Sequence, residues 1–187
     1  MNPITHALSG WCLAALLPRA GRRERFLITA AAVAPDLDGL GIIAELATRD
    51  SPRPLLWWTE YHHVLCHNLA FITAFACAAA LSSRSLRILV LAFVGGHLHL
   101  LGDLVGSRGP DDYQWPIPYL APFLDDILLA WSGQWQLNAW QNVAITMVLL
   151  TATLWFAWRD GESPLVFISP RADAFFVAAL RARFGQP

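Results

Sequence analysis

Three aspartates, Asp36, Asp38 and Asp103, interrupt stretches that are otherwise apolar enough for hydrocarbon. On insertion scales a carboxylate at the centre of a membrane helix costs about 2.5–3.5 kcal/mol, so three unpaired ones cost roughly 8–10 kcal/mol. No Lys occurs in the chain, and the one Arg within the stretches that carry these carboxylates, Arg87, stands at the opposite end of 86–106 from Asp103. Histidines do accompany them. A cluster in which imidazoles and carboxylates share a cation removes the penalty, since a structural zinc ion is worth about 10–16 kcal/mol in model peptides.

Composition fits a lipid environment. Hydrophobic residues make up 56% of the 187 and charged residues 14%, against about a quarter charged in soluble domains. A net charge of −1 excludes a strongly basic nucleic-acid binder, so no nucleic-acid partner is expected. Three widely spaced cysteines, Cys12, Cys66 and Cys77, give no disulfide framework. Five segments read as helices: 1–18, 26–47, 67–81, 86–106 and 139–158. The last is the cleanest, with the ~20 apolar residues that cross a ~30 Å hydrocarbon core. The first lacks the basic start and small-residue cleavage site of a standard signal peptide. The expected fold is all-α: a single-domain polytopic membrane bundle over 1–187, with about five transmembrane helices. Residues 172–184 add a short amphipathic helix, its Phe175, Phe176, Ala179 and Leu180 facing lipid and Arg181 and Arg183 facing headgroups.

Charge asymmetry sets the expected orientation. Arg19, Arg22, Arg23, Arg25, Arg84, Arg87, Arg159, Arg171, Arg181 and Arg183 fall on one side of such a bundle. The other side holds Arg49, Arg53 and Arg108, offset by Asp50, Glu60, Asp111, Asp112, Asp125 and Asp126. The positive-inside rule then places the N-terminus outside and the C-terminus in the cytoplasm of an inner (cytoplasmic) membrane.

The spacing of the polar groups narrows the chemistry. His99 and Asp103 are four apart and share a helix face, the logic of i, i+4 zinc pairs. Pro35 breaks the second helix, freeing Asp36 and Asp38 to face a cation. His62, His63 and His67 surround the start of the third; His63 and His67 suit a helix, whereas His62 and His67 need a non-helical start. With His6, these side chains map to one layer from different helices. Arg108, between two glycines of the 106–122 loop, is a candidate for an anionic substrate group.

Four motifs in order resemble the YdjM-like family of membrane-bound metal-dependent hydrolases. They are Thr5-His6, Pro35-Asp36-Leu37-Asp38, the stretch His62-His63-Val64-Leu65-Cys66-His67-Asn68, and His99-Leu-Leu-Gly-Asp103. In the third the end histidines match the family's His-Arg-Gly-x-Thr-His-Ser pattern, which favours His62 over His63 as ligand, and the residues between depart from it. The ordered set is also reminiscent, more loosely, of zinc-dependent phospholipase C. The resemblance implies a metal-dependent hydrolase holding divalent metal, zinc favoured, with two ions expected and manganese or magnesium compatible. The expected ligands are His6, Asp36, Asp38, His62, His67, His99 and Asp103, with Asp38 and Asp103 also candidates for the catalytic carboxylate. The expected partners are membrane lipid and an amphiphilic ester or phosphoester substrate. Two other classes use the same residues: a metal transporter, with ligands spread through the membrane depth, and a non-catalytic protein with a closed structural metal site.

Overall fold

Asn2 followed by Pro3 is a strong helix start: the Asn2 side chain accepts the Thr5 N–H at 2.9 Å and opens α1, Pro3–Ala15. In this computed structural model the described residues are 1–110, 113–124 and 126–187; Asp111, Asp112 and Asp125, counted above among the acidic charges, lie outside them. After α1 comes α2, Arg22–Ala31, where Glu24 accepts the Gly21 N–H at 2.9 Å. The helix then breaks at the proline. Residues Ala34–Leu40 wind as a 3-10 segment with Pro35 in its first turn, and α3 follows as Gly41–Thr48. This tighter winding sets Asp36 and Asp38 on a segment unlike the flanking α-helices.

The short α4, Trp57–Tyr61, leads to a turn, and Asn68 caps α5, Leu69–Ser83, by accepting the Phe71 N–H at 2.8 Å. Arg84, in the left-handed region with φ 54°, closes α5, and α6 runs Leu86–Gly106. The long connection 107–138 carries no strand among its described residues, only isolated bridges pairing Arg108 with Gln136 and Ile117 with Leu129. Next come α7, Trp140–Asp160, stopped by Gly161 at φ 78°, and α8, Pro170–Phe184.

Helix α6 packs on α5 and α2, and α1 lies between α2 and α7. The core at these crossings is small-residue rich: Ala14, Ala31, Ala76, Ala79 and Ala92 surround Ile28 and Ile88. Small residues let helix backbones approach where lipid supplies no hydrophobic drive. Gly10 shows the closeness. A Cβ there would sit 2.7 Å from Ala32 Cβ and 2.9 Å from Thr29 Cα. A second cluster, Ile72, Leu100 and Ile117, seats the 107–138 connection on the bundle.

By length and hydropathy, three helical runs suffice to cross a membrane: Arg22–Thr48, Leu86–Gly106 and Trp140–Asp160, with Leu69–Ser83 shorter. The first segment gives a 13-residue α1, about 20 Å at 1.5 Å per residue. Outward positions such as Leu86, Val90, Leu101, Val143 and Val148 are exposed and apolar, as lipid-facing positions should be. On α8, Phe175 and Phe184 are exposed, but buried Asp173 ties the helix down by accepting the Ser163 N–H and hydroxyl at 2.8 and 2.6 Å.

Candidate metal centre

The first turns of α1, the 3-10 segment, the start of α5 and the second half of α6 meet at one end of the bundle. Each brings polar side chains. Two groups result whose ligand atoms lie within 4.8 Å of one another: His6, Asp36 and His99; and His63, His67 and Asp103. Asp103 joins them, with Oδ1 3.2 Å from His6 Nε2 and Oδ2 3.0 Å from His99 Nε2 and 3.4 Å from His67 Nε2. Asp36 Oδ1 stands 3.6 Å from His99 Nε2. His6 and His99 stack at 3.7 Å, and the N-terminal amine of Met1 contacts Asp103.

Hydrogen bonds on the far side of each ring decide what faces the centre. His99 Nδ1–H donates to the Ala32 carbonyl at 2.8 Å, and His67 Nδ1–H donates to Asp38 Oδ2 at 3.1 Å. In neutral rings both Nε2 atoms therefore carry lone pairs. These lone pairs are 3.2 Å apart, with the Asp103 carboxylate beside them. Acceptors converge on acceptors, and Oδ2 of both Asp36 and Asp103 is buried without a hydrogen bond. Positive charge relieves such an arrangement, supplied by the Met1 ammonium, by a proton on His67 or by a bound ion, and the donor set fits a divalent metal. Carboxylate and carbonyl groups orienting the imidazoles from behind are the usual outer support of such sites.

The turn before α5 supplies a candidate ligand by an unusual backbone. His63 has φ 66°, in the left-handed region, and stacks on His67 at 4.2 Å. Burial, then the neighbouring His67, lowers the pKa of His63 to about 2, so its ring is neutral. For His67 burial lowers the pKa as well, but its hydrogen bonds to the Asp103 and Asp38 carboxylates outweigh it and raise the value to about 9. The metal-free ring therefore carries a proton at neutral pH.

Of the expected ligands, His6, Asp36, His67, His99 and Asp103 fall in the two groups. Asp38 and His62 fall outside both. Asp38 instead bridges imidazoles, accepting from His62 Nδ1–H at 2.9 Å and from His67 Nδ1–H at 3.1 Å. His63 stands in a group where His62 was favoured. Arg108 lines a cleft of about 960 Å³ over the centre, together with Asp36, Leu40, Trp58, His62 and Trp115, and its guanidinium donates to the Ser132 carbonyl at 2.7 Å. Sequence reading missed the amides that brace this end. Gln134 donates to the Asp103 carbonyl at 2.8 Å and Asn142 to the Gly106 carbonyl at 2.7 Å; amides in apolar surroundings were the available signal.

A helical bundle with membrane-length helices and a buried His/Asp centre defines the class: a membrane protein with a candidate metal site. The YdjM inner membrane protein family matches residues 1–178, and the chain belongs to it. No curated protein and no solved structure matches the chain.

Proposed function

We propose that this is a membrane-bound metal-dependent hydrolase acting on an ester or phosphoester of an amphiphilic, lipid-like substrate. The observation that carries the reading is the convergence of His67 Nε2 and His99 Nε2, 3.2 Å apart, on the buried Asp103 carboxylate beneath an open cleft. Ligands gathered at one end of the bundle favour hydrolysis over permeation, and a cleft favours it over a closed structural site. A metal held by His6, Asp36 and His99 and a second held by His63, His67 and Asp103 would supply Lewis-acid chemistry and bring the pKa of water toward 7. Imidazole and carboxylate donors suit zinc, with manganese or magnesium tolerated.

The chain's own groups have separate tasks in this reading. Asp103 neutralises charge across both groups, and Asp38 orients the His67 ring. Arg108, on the cleft wall, pairs with the substrate's anionic oxygen. Leu40, Trp58 and Leu137 receive its apolar part. The centre lies on the side opposite the arginine-rich connections, so in our reading the N-terminus and the site face out of the cytoplasm, and the C-terminus faces in.

The test is a hydrolysis screen of detergent-purified protein reconstituted with zinc or manganese, using bis(p-nitrophenyl) phosphate and p-nitrophenyl acyl esters. Metal-dependent turnover is expected, with Arg108→Ala raising KM for the phosphodiester. Metal-loaded protein that cleaves neither class overturns the reading.

A further inference from the structure

His62 lies outside both metal groups. Its Nδ1–H is committed to Asp38 Oδ1 at 2.9 Å. The ring stacks on Trp58 at 5.3 Å and meets Trp115 edge-on at 5.5 Å. Gly39 makes the room, since a Cβ there would lie 3.2 Å from His62 Cε1. The side chain is 14% exposed and lines both the large cleft and a neighbouring one of about 500 Å³. With Nδ1–H donating, Nε2 is an acceptor, and no described residue hydrogen-bonds to it. The other oxygen of the same Asp38 holds His67, so one carboxylate fixes a metal-facing ring and a cleft-facing ring together.

We propose that His62 is a catalytic residue rather than a metal ligand: its Nε2 is the proton acceptor of the site, with Asp38 as the positioning residue. This rests on the hydrolase reading above. In the step, an O–H bond of water breaks and its proton passes to His62 Nε2. The water oxygen bonds to the phosphorus or acyl carbon, the bond to the leaving oxygen breaks, and the proton on Nε2 goes to that oxygen. Asp38 keeps the Nδ1–H throughout, as an orienting carboxylate does in hydrolytic triads.

Because Asp38 also holds His67, the test is placed on His62 alone. His62→Ala and His62→Asn are purified in detergent beside the wild type and checked for folding by size-exclusion chromatography. Zinc content is measured by atomic spectroscopy, and hydrolysis with bis(p-nitrophenyl) phosphate and p-nitrophenyl octanoate. Both variants are expected to keep wild-type zinc stoichiometry and lose about 10²–10⁴-fold in kcat. Added imidazole should restore part of the activity to His62→Ala, whose ring space is vacated, and none to His62→Asn. If His62→Ala fails to fold, His62→Asn, which retains a donor for Asp38, carries the zinc and kcat measurements. Zinc loss from a folded His62 variant, or unchanged kcat, overturns the assignment while wild-type turnover leaves the hydrolase reading standing. A zinc-loaded wild type that cleaves neither probe sinks both.

Discussion

Helices α6 and α7 are each 21 residues long, yet they divide the labour of the molecule. α7 carries no charged residue from 140 to 158 and is the more exposed in the structure, with Val143, Met147 and Val148 facing outward. α6 carries His99 and Asp103, both buried, and packs against α2 and α5. A helix that holds polar chemistry in lipid must be surrounded by other helices, because unsatisfied polar groups there cost several kcal/mol each. Mean hydropathy does not separate the two, α6 being the more apolar; an apolar run that holds His and Asp marks the centre of the bundle.

Substitutions at ligand positions should separate the two helices most widely. His99→Ala or Asp103→Ala in α6 should abolish stoichiometric zinc binding in protein that still inserts, read by atomic spectroscopy; Thr151→Ala, on the exposed face of α7, should leave it unchanged. Gly10→Ala comes next. Its Cβ would collide with Ala32 Cβ and Thr29 Cα at 2.7 and 2.9 Å, and the overpacking should cost about 1–3 kcal/mol in a detergent unfolding assay. Because the Ala32 carbonyl holds His99, this variant should also weaken metal binding. Asn142 is a buried amide on α7, donating to the Gly106 and Leu137 carbonyls at 2.7 and 2.8 Å. Asn142→Ala should cost about 1–3 kcal/mol by leaving buried acceptors unpaired. At the bottom of the scale, Val148→Ala should fall within about 0.5 kcal/mol of wild type.

Acidity offers a further way to sharpen the contrast. His67 without metal binds a proton up to about pH 9. Metal must displace that proton, so apparent affinity should rise as pH goes from 6 toward 9 and flatten above it. A competition titration against a zinc chelator at several pH values measures the slope. An affinity independent of pH over that range would mean that His67 is not a ligand.

Much of the fold was legible because apolar runs and caps are local signals. The stretch 86–106 forms α6, and Pro35 does break the second segment, where neighbouring α2 and α3 flank a 3-10 turn. The thirteen-residue α1 is shorter than its apolar run, since Asn2 starts it and its helical bonding ends at Ala15, ahead of Pro18. The candidate site was legible as residue types but not as roles. Helical spacing linked His63 to His67, yet no helix runs there: α4 ends at Tyr61, His62 is extended, and His63 turns left-handed. That reversal sets the two adjacent rings edge to face, 81° apart. Nor does spacing reveal that Asp38 faces two imidazoles from behind, because the contact depends on how the 3-10 segment meets the turn before α5.

The central claim is that the imidazoles and carboxylates at one end of this bundle share a cation. Elemental analysis of the wild-type protein, purified in detergent from metal-replete cells without chelator, tests it most directly. The account predicts at least one divalent ion per chain, retained through gel filtration. Folded protein carrying none would contradict it.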